Sequence, residues 1–331
     1  TASISWELDL WGNLRWARDH STAGFLASVE NCRAVKMGLV AQVAQSYFEL
    51  MALDNELAIV RRTLEARREG VRLAEIRFKG GLTSEIVFQQ AKVELAKTAT
   101  MVPDLERRIS LKESEIALLT GDFPYAVNRN VLPEEIQLPD ALPLGLPSTL
   151  LERRPDIRKA ERELMAAHAE VGLAYTNMFP RLALTATLGA ESETLRDLLK
   201  SPYSYLAGNL LSPLFAMGKN RAALKAKRAA YEGAVAEYEK TVLTAFKETH
   251  NAIINFNKIK DIYESRRQLA EASRTAVELA QLQYINGVIG YLDLLDAQRN
   301  YFDAQVSLSN AVCDKQLMII NLYKALGGGW K

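Results

Sequence analysis

Apolar residues recur every seven positions along the first part of the chain, at Val43, Leu50, Leu57, Leu64, Val71 and Phe78. A companion row three residues on holds Leu53, Val60 and Ala74 and is broken by Arg67. Rows at this spacing make one seam on a continuous helix. No proline lies between Gly12 and Gly80, so the pattern predicts a single helix across the whole span. Residues 219–286 also lack proline, with Phe256, Ile259, Tyr263, Val277 and Tyr284 on an equivalent seam. At 1.5 Å per residue, each helix is about 100 Å long. A compact domain of this length has a radius of gyration of roughly 20 Å. The expected molecule is therefore a long rod or tube.

Shorter periodic segments follow each long one. Residues 83–119 carry Ile86, Val93, Leu105, Ile109, Ile116 and Leu119, with a kink expected at Pro103. Residues 290–326 carry Leu292, Leu295, Phe302, Val306, Ile319 and Tyr323, with a stop at Gly327-Gly328-Gly329. Turns at Gly80-Gly81 and Gly287 then join antiparallel helices at one end of the rod. The same order occurs twice at a constant offset of 206, which maps Gly12 onto Gly218, Phe78 onto Tyr284, Gly81 onto Gly287 and Ala91 onto Ala297. Between the copies, six of the ten prolines crowd into 124–155, read as an irregular belt across the rod. A helix is expected from Pro155 to about Phe179, since proline suits a first helical turn.

Strict alternation marks the other end. Ile4, Trp6, Leu8 and Leu10 share one face of the run 3–11, and Ser5, Glu7 and Asp9 the other. Leu182, Leu184, Ala186 and Leu188 alternate with Ala183, Thr185, Thr187 and Gly189. A weaker run from Ser204 to Phe215 puts Leu206, Leu210 and Leu214 together. Such strands fit a membrane barrel, with Glu7 and Asp9 towards its lumen, and fit equally a soluble sheet capping the rod. By the repeat, a helix and a strand, on the order of 60 residues, are expected ahead of Thr1. That makes four strands per chain, whereas a membrane barrel needs at least about eight, so an oligomer is required.

Composition narrows the chemistry. With 41 basic and 40 acidic side chains the net charge is +1, which gives no electrostatic case for nucleic acid. No run approaches 18 apolar residues, so no transmembrane helix is expected. Three histidines and two cysteines, Cys32 and Cys313, show no metal-binding spacing. His20, His168 and His250 are read as structural, and Gly327–Gly329 lacks the lysine and strand of a phosphate loop. Arg61, Arg62, Arg67, Arg68, Arg72, Arg77 and Lys79, with Glu65, Glu69 and Glu75, are read as a solvated helix face. Neither catalytic residues nor a cofactor or metal site is expected. The sequence opens directly on the strand-like run, without an initiator Met, a signal peptide or a lipid-attachment Cys, so an N-terminal portion is expected to precede it.

Several motifs then resemble one family in order along the chain. They are Trp6-Glu7-Leu8-Asp9-Leu10-Trp11-Gly12, Leu146-Pro147-Ser148-Thr149-Leu150-Leu151-Glu152-Arg153-Arg154-Pro155-Asp156-Ile157, Ala160-Glu161, Ala166-Ala167, Phe179-Pro180, Leu294-Leu295-Asp296-Ala297-Gln298 and Leu322-Tyr323-Lys324-Ala325-Leu326-Gly327-Gly328-Gly329-Trp330. The chain resembles the TolC-like outer-membrane efflux channels, most closely the drug- and metal-efflux branch in which many members are lipoproteins. The resemblance implies a mainly α fold with a small membrane β-barrel contribution, two repeats of strand, long helix and helix, and a homotrimer with a 12-stranded β-barrel and an α-helical periplasmic barrel. It implies a passive exit duct, not an enzyme, whose partners are a periplasmic adaptor (membrane fusion) protein, an inner-membrane pump and outer-membrane lipid. The organisation expected is a barrel strand at 1–12, a hairpin at 13–119, a belt at 120–154, a helix at 155–180, two barrel strands at 181–217, a second hairpin at 218–326 and a tail at 327–331.

Residue roles follow from the same likeness. Tyr284, Asp293 and Asp296 match family gate positions. The two aspartates lie three apart on one helix face, and either can line a pore. Gly80, Gly81, Leu82 and Thr83, with Gly287, Val288, Ile289 and Gly290, resemble the tips where adaptors dock. The family often has an arginine near Ile289 that locks the closed state, and isoleucine cannot make that lock. Ile4, Trp6, Leu8, Leu10, Leu182, Leu184 and Leu188 are expected on the lipid face. The competing reading is a soluble periplasmic coiled-coil scaffold or adaptor. Adaptors typically carry one hairpin between β-rich domains, whereas two full copies occur here.

Overall fold

The computed structural model describes residues 1–129, 152–191, 202–213 and 215–328. Its elements in order are β1 (Ala2–Leu8), α1 (Asn13–Lys79), α2 (Glu85–Thr120), α3 (Pro155–Thr176), β2 (Arg181–Ala190), β3 (Pro202–Leu211), α4 (Met217–Ile285) and α5 (Tyr291–Ala325). The fold is mainly α, with α1 at 67 and α4 at 69 residues. The long heptad seams are thus single helices, of about 100 Å each. Most of the expected belt, 130–151, lies outside the described residues, and so do Leu214, Gly329 and Trp330.

The chain divides into two compact units, Thr1–Ala34 with Pro147–Phe246, and Val35–Leu146 with Lys247–Lys331. The first holds the sheet, in the order β1-β2-β3, antiparallel throughout. Ile4 lies opposite Ala186 and Ala186 opposite Leu206, while Trp6 pairs with Leu184, so the apolar residues of all three strands share a face. The other face is polar, with the Ser5 and Thr185 hydroxyls 3.2 Å apart.

The first strand is shorter than its alternation suggested. It ends at Leu8, because the Leu10 N–H already turns back to the Leu8 carbonyl at 2.9 Å. Asp9 does not face a barrel lumen. Its carboxylate accepts the Leu14 and Arg15 N–H groups at 2.9 and 3.1 Å and caps α1, and Gly12 at φ +79° makes the turn. Leu10 is therefore off the strand. The third strand runs 202–211 and not 204–215, and α3 stops at Thr176, not Phe179. Gly218 lies inside α4 and does not punctuate it.

Aromatic contacts hold the helices of this unit. The Trp11 ring stacks on Phe179 at 4.9 Å, and its N–H donates to the Pro180 carbonyl at 2.8 Å. Trp16 meets His168 edge-on, and His168 meets Tyr231, each at 5.6 Å, so this histidine is structural. A Cβ at Gly172 would lie 2.3 Å from the Trp16 ring, so only glycine lets α1 approach α3 there.

In the second unit, Leu50, Leu53, Leu57 and Val60 of α1 pack with Leu105, Ile109 and Ile116 of α2, and Phe302 of α5 lies against them. Burying each such leucine or isoleucine contributes about 1.5–3 kcal/mol. Ile86 and Val93, assigned to the same seam by sequence, are exposed. Helix α2 continues unbroken through Pro103. Where the belt begins, Val127 joins this core, and Arg129 pairs with Asp54 at 2.6 Å and Glu113 at 2.8 Å.

Helix ends repeat the duplication. Gly81, Gly121, Gly287 and Gly327 all have φ between +69° and +80°, which glycine adopts without strain. Leu82 N–H donates to Arg77 O and Val288 N–H to Gln283 O, at 2.8 and 2.9 Å, closing the same C-terminal motif on both long helices. The offset of 206 that joins Gly81 to Gly287 also joins Gly121 to Gly327.

Candidate functional site

Two places stand out, the hairpin ends of the second unit and the apolar sheet face of the first. At the hairpin ends, Leu82 and Val288 are 73% and 71% exposed and occupy matching places in the two turns. Gly80, Gly81, Gly287 and Gly290 complete those turns with Thr83, which is half-buried. Ile289 differs from expectation. It is half-buried, packed on Ala280, Tyr284 and Leu294, because the second turn folds back over its own hairpin.

Tyr284 also turns inward. It is 6% exposed, with the Tyr291 ring at 5.8 Å and the Arg77 guanidinium 4.7 Å above its face. Asp293 and Asp296 are exposed on α5, opposite buried Leu294 and Leu295. Asp293 accepts the Gly290 N–H at 3.0 Å, which caps α5 and places an acid favourably at a helix N-terminus. Asp296 lies 3.8 Å from Arg299.

Sequence reasoning missed the strongest electrostatic feature. Arg67, placed on a solvated face, is only 9% exposed in its side chain, and Glu94 on α2 is 7% exposed. Arg67 from α1 and Arg299 from α5, the latter at 2.5 Å, both bind the Glu94 carboxylate, with Lys97 at 3.2 Å. One carboxylate thereby ties the first hairpin to the second. Arg299 above all, then Arg67 and Lys97, hold the Glu94 carboxyl down to about 2, against burial that would raise it. Glu94 in turn raises the Arg299 guanidinium. The clue was the single charged residue inside an apolar heptad row. Arg77 also departs from the expected solvated face, turned inward over Tyr284, whereas Arg68 pairs with Glu65, Arg72 with Glu69 and Lys79 with Glu75, at 2.8–2.9 Å on exposed surface.

Among the described residues, the apolar sheet face is left exposed. Ile4, Trp6 and Leu206 are 76%, 63% and 75% exposed, and Leu188 and Leu210 are exposed beside them. Leu8, Leu182 and Leu184 are half-buried on the same face. A contiguous apolar surface on this scale marks an interface with protein or lipid. No helix among the described residues is long and apolar enough to cross a membrane. Among the described residues no cluster of His, Cys, Asp or Glu has the makings of a metal site. Burial pushes the Cys313 thiol up to about 11.

Comparison with known proteins agrees with these features. The family model "Outer membrane efflux protein" matches residues 1–122 and 146–328. Outer membrane protein OprJ of Pseudomonas aeruginosa is 35% identical over 98% of this chain and 68% of its own length. The solvent efflux pump outer membrane protein SrpC of Pseudomonas putida is 34% identical over 98% of this chain and 70% of its own. The solved outer-membrane channel OprN superposes with a TM-score of 0.90 at 31% identity, covering 99% of this chain and 74% of that one. The chain belongs to the outer membrane efflux protein family, as an outer-membrane channel component of an efflux pump in a Gram-negative bacterium.

Proposed function

We propose that three copies of this chain assemble into one exit duct. It would take solutes from an inner-membrane pump, through a periplasmic adaptor, to the exterior, and do no chemistry on them. The observation that carries this reading is the uncovered apolar face of the three-stranded sheet. In water that face would be a liability, and in a bilayer it is the outer wall of a barrel. β1 and β3 are edge strands of the described sheet. Lipid accepts no unpaired backbone groups, so each edge must pair with a further strand, whether the one expected ahead of Thr1 or one from a neighbouring copy.

Within this reading, Ile4, Trp6, Leu182, Leu184 and Leu188 face lipid. Leu82 and Val288, exposed at matching hairpin turns, receive the adaptor. Asp293 and Asp296 line the mouth and attract cations over anions, as carboxylate rings do in narrow pores. Tyr284, buried against Arg77 and Tyr291, contributes by holding the second hairpin closed. The solvent in SrpC's name marks one class of cargo handled by a relative. Cargo selection is assigned to the pump.

The test is expression of the full-length protein in a Gram-negative strain stripped of its own efflux channels. Membrane-bound protein that needs detergent and runs at three protomers by light scattering is the expected result. A monomer recovered without detergent would end the proposal.

A further inference from the structure

Near the hairpin ends of the second unit, a cavity of about 310 Å³ lies between the two hairpins. Its volume is at the lower end of ligand pockets, roughly 300–1,000 Å³. Arg67, Gly70 and Leu73 of α1 form one wall, and Tyr284, Tyr291 and Leu294 face them from α4 and α5. Glu69, Arg72, Glu94, Gln281 and Gln298 also line it, so the wall mixes apolar and polar groups.

Three observations point to what the cavity takes. Arg67 gives its Nη1 to Glu94, but its Nε–H is buried and has no acceptor. A buried guanidinium donor left unmatched is costly, and a carboxylate is its best partner. The charged lining is otherwise matched, with Arg72 on Glu69 and Arg67 on Glu94, so the Arg67 Nε–H is the donor left for a ligand. Finally, Gly70 sits deep inside α1, where glycine weakens a helix. A Cβ there would meet nothing within 4 Å, so close packing does not explain the glycine. Its missing side chain keeps the cavity open.

We propose that this cavity binds a small organic acid with one apolar ring. Its carboxylate accepts the Arg67 Nε–H, and its ring lies between Leu73, Tyr284 and Tyr291. The proposal does not depend on the exit-duct reading. A bound acid bridges α1 to α4 and α5, so it joins the Glu94 pairings in holding the two hairpins together.

Benzoate is the probe. Full-length protein in detergent is titrated with benzoate and, separately, with neutral benzamide, and binding is read by saturation-transfer NMR and by the shift in Tm. The wild type is expected to bind benzoate at millimolar concentration and benzamide at least tenfold more weakly. Gly70→Leu, which fills the cavity and leaves the Glu94 pairings intact, is expected to lose benzoate binding at least tenfold. Equal binding of benzoate and benzamide by the wild type would overturn the proposal. So would undiminished benzoate binding by Gly70→Leu, or no binding at all. The benzoate–benzamide comparison needs no variant, so a misfolded Gly70→Leu would not shield the idea.

Discussion

Glu94 shows what one residue can do in a duplicated helical chain. Removing it leaves Arg67 buried and unpaired, which costs about 3–5 kcal/mol. Glu94→Ala should therefore lower the denaturation midpoint markedly, while Arg299→Ala, at a site 44% exposed, should cost far less. The pH dependence has a definite sign. The folded carboxyl titrates at about 2 against an ordinary 4.5, so the pairing contributes fully above about pH 4.5 and is lost as pH falls towards 2. The gap in Tm between wild type and Glu94→Gln should narrow from pH 7 to pH 3. A gap that stayed constant would mean the pairing is not titrating. In the sequence, Arg67 was visible only as a break in a heptad row. Its partner Glu94 lies 27 residues further on and Arg299, which shares that carboxylate, a further 205, and spacing alone cannot bring them together.

At the scale of elements, the long helices were legible because heptads run uninterrupted and proline is absent. Their ends were less so. Alternation continues through Asp9, Leu10 and Trp11, yet Asp9 is taken by the helix that follows, since two backbone N–H groups outbid one more strand residue. Asp9→Ala should lower the melting temperature, as loss of a helix cap does. The contact between Gly172 and Trp16 was not legible at all, because a glycine inside α3 carries no pattern. Gly172→Ala should destabilise the fold by about 1–3 kcal/mol through overpacking. Gly70→Ala, with open space around it, should leave stability unchanged or raised by about 0.5–1 kcal/mol. Thermal melts of the two variants side by side separate these cases, and equal losses would refute the packing argument.

For the whole molecule, the proposed assembly makes its own demands. Trp6→Lys on the lipid-facing side should cost about 2–4 kcal/mol near the bilayer midplane, whereas Ser5→Ala on the polar side should be nearly silent. Refolding into vesicles reads both, and equal effects would mean that the sheet does not sit in lipid. Asp293→Asn with Asp296→Asn should reduce cation preference in planar-bilayer recordings, and an unchanged reversal potential would remove these residues from the mouth. The offset of 206 carries one more consequence. It sets Asp293 and Asp296 against Val87 and Gln90 in the other hairpin. Going round the opening, then, fingertips with and without this pair of carboxylates would take turns. A passing ion would meet three separate acidic bristles, and never an unbroken collar.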